Sequence, residues 1–118
     1  MYISGGEGVS PAEVESVLIA HPAVADVAVV GVPDERWGEA GSAWVVLRPG
    51  AITDAAELAE FARGSLAGYK VPRDIRFIDE IPRSTAAKTL RRVLAERAAR
   101  LREAEREAGS ASTTEVDA

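Results

Sequence analysis

Seven of the thirteen valines in this chain fall in two runs, Ala23–Val32 (AVADVAVVGV) and Ala43–Leu47 (AWVVL), with the turn residues Pro33-Asp34-Glu35-Arg36-Trp37-Gly38 between them. Side chains branched at Cβ are stiff and fit a pleated surface, so both runs read as strands. The segment between them predicts an antiparallel hairpin with a connection of about six to eight residues. A chain that commits its valines this way has to build a sheet and cover it. Its 118 residues, 47% hydrophobic but only 5% aromatic, give one domain with an aliphatic core.

The covering elements are legible on either side. Met1–Ser4 is a short apolar strand stub that leads into Gly5-Gly6-Glu7-Gly8. Ser10-Pro11-Ala12-Glu13 then starts a helix, with serine as N-cap, proline in the first turn and glutamate placed for a capping box. Val14, Val17 and Leu18 share one face of it, and His21-Pro22 ends it. Thr53 or Asp54 caps a second helix with Leu58, Phe61, Ala62 and Leu66 on its apolar face and Gly68 as its C-terminal glycine. Ile75–Ile78 is a further strand between Pro72 and Pro82. A last helix begins near Thr85–Lys88 and carries Leu90, Val93, Leu94, Ala98 and Leu101 in one stripe. The expected fold is α+β: a small antiparallel or mixed sheet of about three strands, an N-terminal strand stub and a C-terminal helix. The domain reads as 1–102, and 103–118 as an acidic helical extension whose end, 109–118, is a disordered tail.

Several function classes lack their materials. There is no cysteine and a single histidine, so thiolate chemistry, histidine-rich metal sites and serine–histidine hydrolysis are disfavoured, and a cytoplasmic location fits. No run is long enough to span a membrane, and no basic-then-apolar leader opens the chain. The net charge of −5 is unevenly placed: residues 1–69 hold ten acids and three bases, whereas 70–102 hold four acids and ten bases. A basic second half points to an anionic partner, or is a solvated cationic helix face. Arg91, Arg92, Arg97, Arg100 and Arg102 come without base-stacking aromatics, which weighs against a nucleic-acid surface.

Two motifs carry candidate chemistry. The Gly5-Gly6-Glu7-Gly8 loop matches neither a P-loop nor a dinucleotide fingerprint, so it is either a structural turn or a loop that touches a ligand. Lys88, in Pro82-Arg83-Ser84-Thr85-Ala86-Ala87-Lys88-Thr89-Leu90-Arg91-Arg92, falls at a helix start, where the macrodipole favours anions over cations. It is a solvated lysine or one that serves an anion held at that helix end. Glu13 and Glu15, two apart on a helix, cannot face each other as a carboxylate pair. His21 reads as a helix-ending surface residue, Trp37 as a turn anchor and Trp44 as a packing residue.

Four segments in one colinear order, MYISGGEGVSPAEVE, HPAVADVAVVGVPDERWGEA, YKVPRDIRFIDEIPRS and TAAKTLRR, resemble the C-terminal domain of adenylate-forming enzymes, in their acyl-CoA synthetase branch. The resemblance implies a ligase that makes an acyl-adenylate from ATP and a carboxylic acid, fatty or aryl, and then a thioester with coenzyme A. By the same resemblance Lys88 would be the adenylation lysine, and Gly5, Gly6 and Glu7 would line the passage for the pantetheine arm in a second domain orientation. The complete enzyme would use ATP, coenzyme A and Mg2+, none held tightly by this chain alone and with no metal site of its own. Its partner would be an N-terminal AMP-binding domain that this chain lacks, so the chain alone is expected to be inactive. Ala87 replaces a glycine usual in the family, and Gly8 and Ser10 stand where asparagine and an aromatic are frequent. A stand-alone protein-interaction module derived from such a domain is the alternative.

Overall fold

A computed structural model describes residues 1–85 and 90–117, with side chains through residue 108. The elements are β1 (Tyr2–Ser4), β2 (Glu7–Val9), α1 (Pro11–Ile19), β3 (Val24–Asp34), β4 (Gly38–Leu47), α2 (Ala55–Arg63), a 3-10 turn (Gly68–Lys70), β5 (Asp74–Phe77) and α3 (Arg91–Asp117). Five strands form one sheet in the order β2-β1-β4-β3, antiparallel throughout, and β5 joins β4 in parallel. The α+β class stands, with a mixed sheet.

Strand β3 is apolar at almost every position because both its faces are covered. Val27 and Val29, with Ala43 and Val45 of β4, pack against Val14 and Leu18 of α1 and Leu58 and Ala62 of α2. Ala28, Val30 and Val32, with Trp44, pack against Leu94 and Ala98 of α3. The molecule is therefore three layers: α1 and α2, the sheet, then α3.

The β3–β4 connection is shorter than the sequence predicts. Asp34 still pairs with Gly38, leaving Glu35–Trp37 as the loop. The cause is the Asp34 carboxylate, whose Oδ1 accepts the amides of Arg36 and Trp37 at 2.9 Å each and folds the turn on itself. The strand count also exceeds the expected three and a stub. Glu7-Gly8-Val9 is a strand, paired with β1 from Ser4↔Glu7 to Tyr2↔Val9. Gly5 (φ 61°) and Gly6 (φ 86°) are its two-residue loop, both in the left-handed region that a primed hairpin turn demands.

Tyr2 of β1 lies over the sheet, buried, in a trough cut by two glycines. A Cβ on Gly31 would stand 2.4 Å from the Tyr2 Cβ, and one on Gly41 would stand 2.3 Å from its hydroxyl oxygen. Side chains at those positions would evict the ring.

Four local expectations need correcting. No capping box forms: the Ser10 side chain makes no cap hydrogen bond, and the Glu13 carboxylate instead takes both its contacts from Lys70 Nζ, at 2.9 and 3.1 Å. Helix α2 ends at a Gly64 C-cap rather than at Gly68, which opens the 3-10 turn, while Asp54 does cap it by accepting Glu57 N at 2.8 Å. Helix α3 begins at Arg91, its first turn closing from Leu94 N to Leu90 O at 3.3 Å. Its backbone stays helical through Asp117, where the sequence suggests a tail without structure from residue 109, because a long helix propagates into weak formers once nucleated.

Candidate functional site

The glycine tip does not stand alone. Gly5 N donates to Trp37 O at 2.9 Å, and a Cβ on Gly5 would meet the indole at 3.0 Å, so the two turns are stacked. The Trp37 ring is half-buried and carries two cations: the Arg73 guanidinium lies 4.4 Å from the ring centroid and that of Arg36 lies 5.3 Å away. Glu7 is exposed on β2, where it pairs with Ser4 of β1. The result is a backbone-lined tip next to an aromatic ring that carries two guanidinium groups. Chemically the two guanidinium groups suit an anionic ligand.

Lys88 itself lies outside the described residues, as do Ala87 and the rest of 86–89. What flanks them is firmly tied. Leu90 N donates to Pro82 O at 2.9 Å, and Arg83 pairs with Asp26 at 2.8 Å. Arg91 grips Glu15 through two nitrogens, at 2.7 and 3.2 Å. The same pair clasps the backbone of β3: Glu15 Oε2 accepts Val29 N at 2.8 Å, and Arg91 Nη1 donates to Val29 O at 2.8 Å. Beside this clasp a cavity of about 250 Å³ opens, lined by Met1, Tyr2, Gly31, Glu39 and Arg91 among others. Burial first, and then the Glu39 carboxylate, push the Tyr2 phenol up to about 12.

The remaining candidates have structural work. His21 Nδ1 accepts Ala23 N at 3.1 Å, its ring meets Phe61 edge-on at 4.9 Å, and Nε2 stands 3.3 Å from Glu57, which makes it a joint between α1 and α2 rather than a surface residue. Trp44 is buried against α3, as a packing residue should be. Arg91 and Arg102 of the basic stripe turn back onto carboxylates of this chain. Among the described residues no three His, Asp or Glu side chains converge as a metal site would require, and no helix is long and apolar enough to cross a membrane.

Sequence reasoning treats Trp37 as an anchor, weighs Arg91 only as part of a basic stripe, and does not single out Arg73 or the joining role of Glu15. A tryptophan flanked by Arg36 was a usable signal for the first. The others meet partners 14 to 76 positions away, where periodicity is silent.

Residues 13–88 match the family described as AMP-binding enzyme C-terminal domain. The chain is 53% identical over 94 residues to 2-succinylbenzoate–CoA ligase of Geobacillus kaustophilus (strain HTA426), covering 80% of this chain and 19% of that protein. Among solved structures it resembles a Mycobacterium tuberculosis fatty acyl CoA synthetase (44% identity, TM-score 0.79, 86% of this chain and 20% of that one). It also resembles ATP-bound MatB from Rhodopseudomonas palustris (40% identity, TM-score 0.79, 81% of this chain and 19% of that one). The chain spans about a fifth of the length of these relatives.

Proposed function

The chain belongs to the AMP-binding enzyme C-terminal domain family, and from that premise we propose that it is the mobile C-terminal domain of an ATP-dependent acid–CoA ligase. In the first half-reaction a carboxylate oxygen attacks the α-phosphorus of ATP, forming the acyl-adenylate and releasing pyrophosphate. In the second the thiol of coenzyme A attacks the acyl carbon, forming the thioester and releasing AMP and a proton. Lys88 supplies an ammonium near the carboxylate and the α-phosphate, offsetting the charge that gathers on phosphorus. Gly5 and Gly6 let the pantetheine arm pass close to backbone, and Glu7 borders that passage. Trp37, Arg36 and Arg73 receive the nucleotide end of coenzyme A, its phosphates at the guanidinium groups.

The observation that carries this reading is the seating of the glycine tip on a tryptophan that carries two arginines. A second supports the motion. Arg91, three residues beyond Lys88, is fastened at Val29, whereas the glycine tip sits at the far end of β3, about 17 Å further along the strand. We infer that the domain turns between the half-reactions, bringing Lys88 to the reaction centre in one and the glycine tip in the other. The partner is an AMP-binding domain that brings ATP, its Mg2+ and the acid. The described residues contribute no ligand cluster for the metal. The acid, fatty or aryl, is selected in that partner.

The test mixes this chain with an AMP-binding domain, ATP, an acid panel and coenzyme A. Pyrophosphate and AMP release should appear only in the mixture. Lys88→Ala should abolish adenylation while sparing thioester formation from a preformed acyl-adenylate, and Gly6→Val should do the reverse. Full adenylation by the Lys88→Ala protein would refute the assignment, and a chain that binds its partner yet never supports AMP formation would establish the interaction module instead.

A further inference from the structure

Helix α3 lies beyond the family-matched segment, which ends at residue 88, and from Arg102 to Arg106 it contacts the β3–β4 turn and β5. Arg102 Nη2 donates to Asp34 Oδ2 at 2.6 Å, and its Nε stands 3.7 Å from Asp74. Arg106 meets Glu35 at 2.8 Å, and Glu105 accepts two bonds from Arg76 at 3.0 and 3.1 Å. These contacts are not equal. Arg106 and Glu35 are 61% and 83% exposed, so solvent screens them, whereas Arg102 and Asp34 are 23% and 13% exposed.

Asp34 is the carboxylate that folds the Trp37 turn. One oxygen accepts the amides of Arg36 and Trp37, and the other accepts Arg102. Burial alone would raise its pKa, but the Arg102 hydrogen bond and the two turn amides outweigh that and hold the carboxyl below its ordinary range. The turn that places Trp37 against Gly5 is thus braced from α3 through one side chain.

We propose that Arg102 is a positioning residue for the thioester half-reaction: through Asp34 it holds the Trp37 turn, and with it the coenzyme A platform, against the glycine tip. This rests on the reading that the platform serves coenzyme A. The experiment separates the two. Trp37→Ala, Arg102→Ala and Arg102→Lys are assayed in the mixture of this chain with its AMP-binding domain for both half-reactions. In parallel, acrylamide quenching of Trp37 is measured in a Trp44→Phe background of this chain alone. Arg102→Ala should raise the KM for coenzyme A about tenfold, as loss of a charge-assisted hydrogen bond would, leave the rate of adenylation within about twofold, and make Trp37 about twice as quenchable. Arg102→Lys, which keeps the charge and one donor, should restore part of both.

Equal losses in the two half-reactions would overturn the proposal, since a merely structural residue behaves that way. So would a change in quenching without a change in KM, or the converse. If Trp37→Ala itself leaves the coenzyme A step intact, the platform reading fails. If Trp37→Ala impairs that step and Arg102→Ala does not, only the role of Arg102 fails.

Discussion

Replacing Gly41 by alanine should unseat the N-terminal hairpin. The new Cβ would stand 2.3 Å from the Tyr2 hydroxyl oxygen and 3.1 Å from Cζ, with Pro72 Cα at 3.4 Å on the other side. The last is ordinary contact; the first is not, and it falls on a ring that is 3% exposed. Overpacking of this kind costs about 1–3 kcal/mol. The ceiling is the cost of expelling the ring altogether, about 3–5 kcal/mol by comparison with aromatic-to-alanine changes. For a domain of this size that is a fall in Tm of about 4 °C per kcal/mol. The assay is a double-mutant cycle in urea with Tyr2→Ala. Without the ring the clash is gone, and alanine in an extended strand gains about 0.4–1 kcal/mol over glycine through the unfolded state. Gly41→Ala should therefore turn from destabilising to neutral or better in the Tyr2→Ala background, with a coupling above about 1 kcal/mol. Equal costs in both backgrounds would refute the reasoning and place the clash elsewhere, with Pro72 the nearest remaining neighbour.

The Tyr2 phenol, raised from 10.0 to about 12 by burial and then by Glu39, is bound more tightly to its proton in the folded chain than in the unfolded one. Its contribution is complete below pH 10 and is lost as pH rises from there through about 12, so urea midpoints across that window should fall more steeply for the native chain than for Tyr2→Phe; parallel profiles would contradict this. Leu94→Ala, at a fully buried position that joins α3 to β3, should cost about 2–5 kcal/mol by urea denaturation, and a loss under about 1 kcal/mol would mean the α3 layer closes over the gap.

How much of this could be read in the residues depends on the range of the contact involved. Strands β3 and β4 are visible because valine preference and two-sided burial act locally and agree. Asp54 is visible as a cap for the same reason. Strand β2 is not, since Glu7-Gly8-Val9 has no pattern of its own and exists only by pairing with β1 across two glycines. The capping box fails because Lys70, 57 positions on, competes for Glu13. At the candidate site, glycines 5 and 6 announce a tight turn by composition, but their seat against Trp37 and Arg73 is a product of tertiary folding. The Glu15–Arg91 clasp spans 76 positions, and Glu15 is discounted in sequence only because it cannot face Glu13.

That clasp has a consequence for how the molecule lives among copies of itself. Strand β3 ends the sheet, and an eleven-residue apolar strand with a bare flank is a template on which another chain can add. Along that flank three of the four alternate residues from Val27 to Pro33 are stopped. Val27 N is taken by the Asp26 side chain at 2.9 Å, Val29 by Glu15 and Arg91 on its amide and carbonyl, and Pro33 has no amide to offer. An ion pair that anchors the helix after Lys88 therefore also blocks part of the flank open to intermolecular β-sheet growth, and weakening it should favour aggregation.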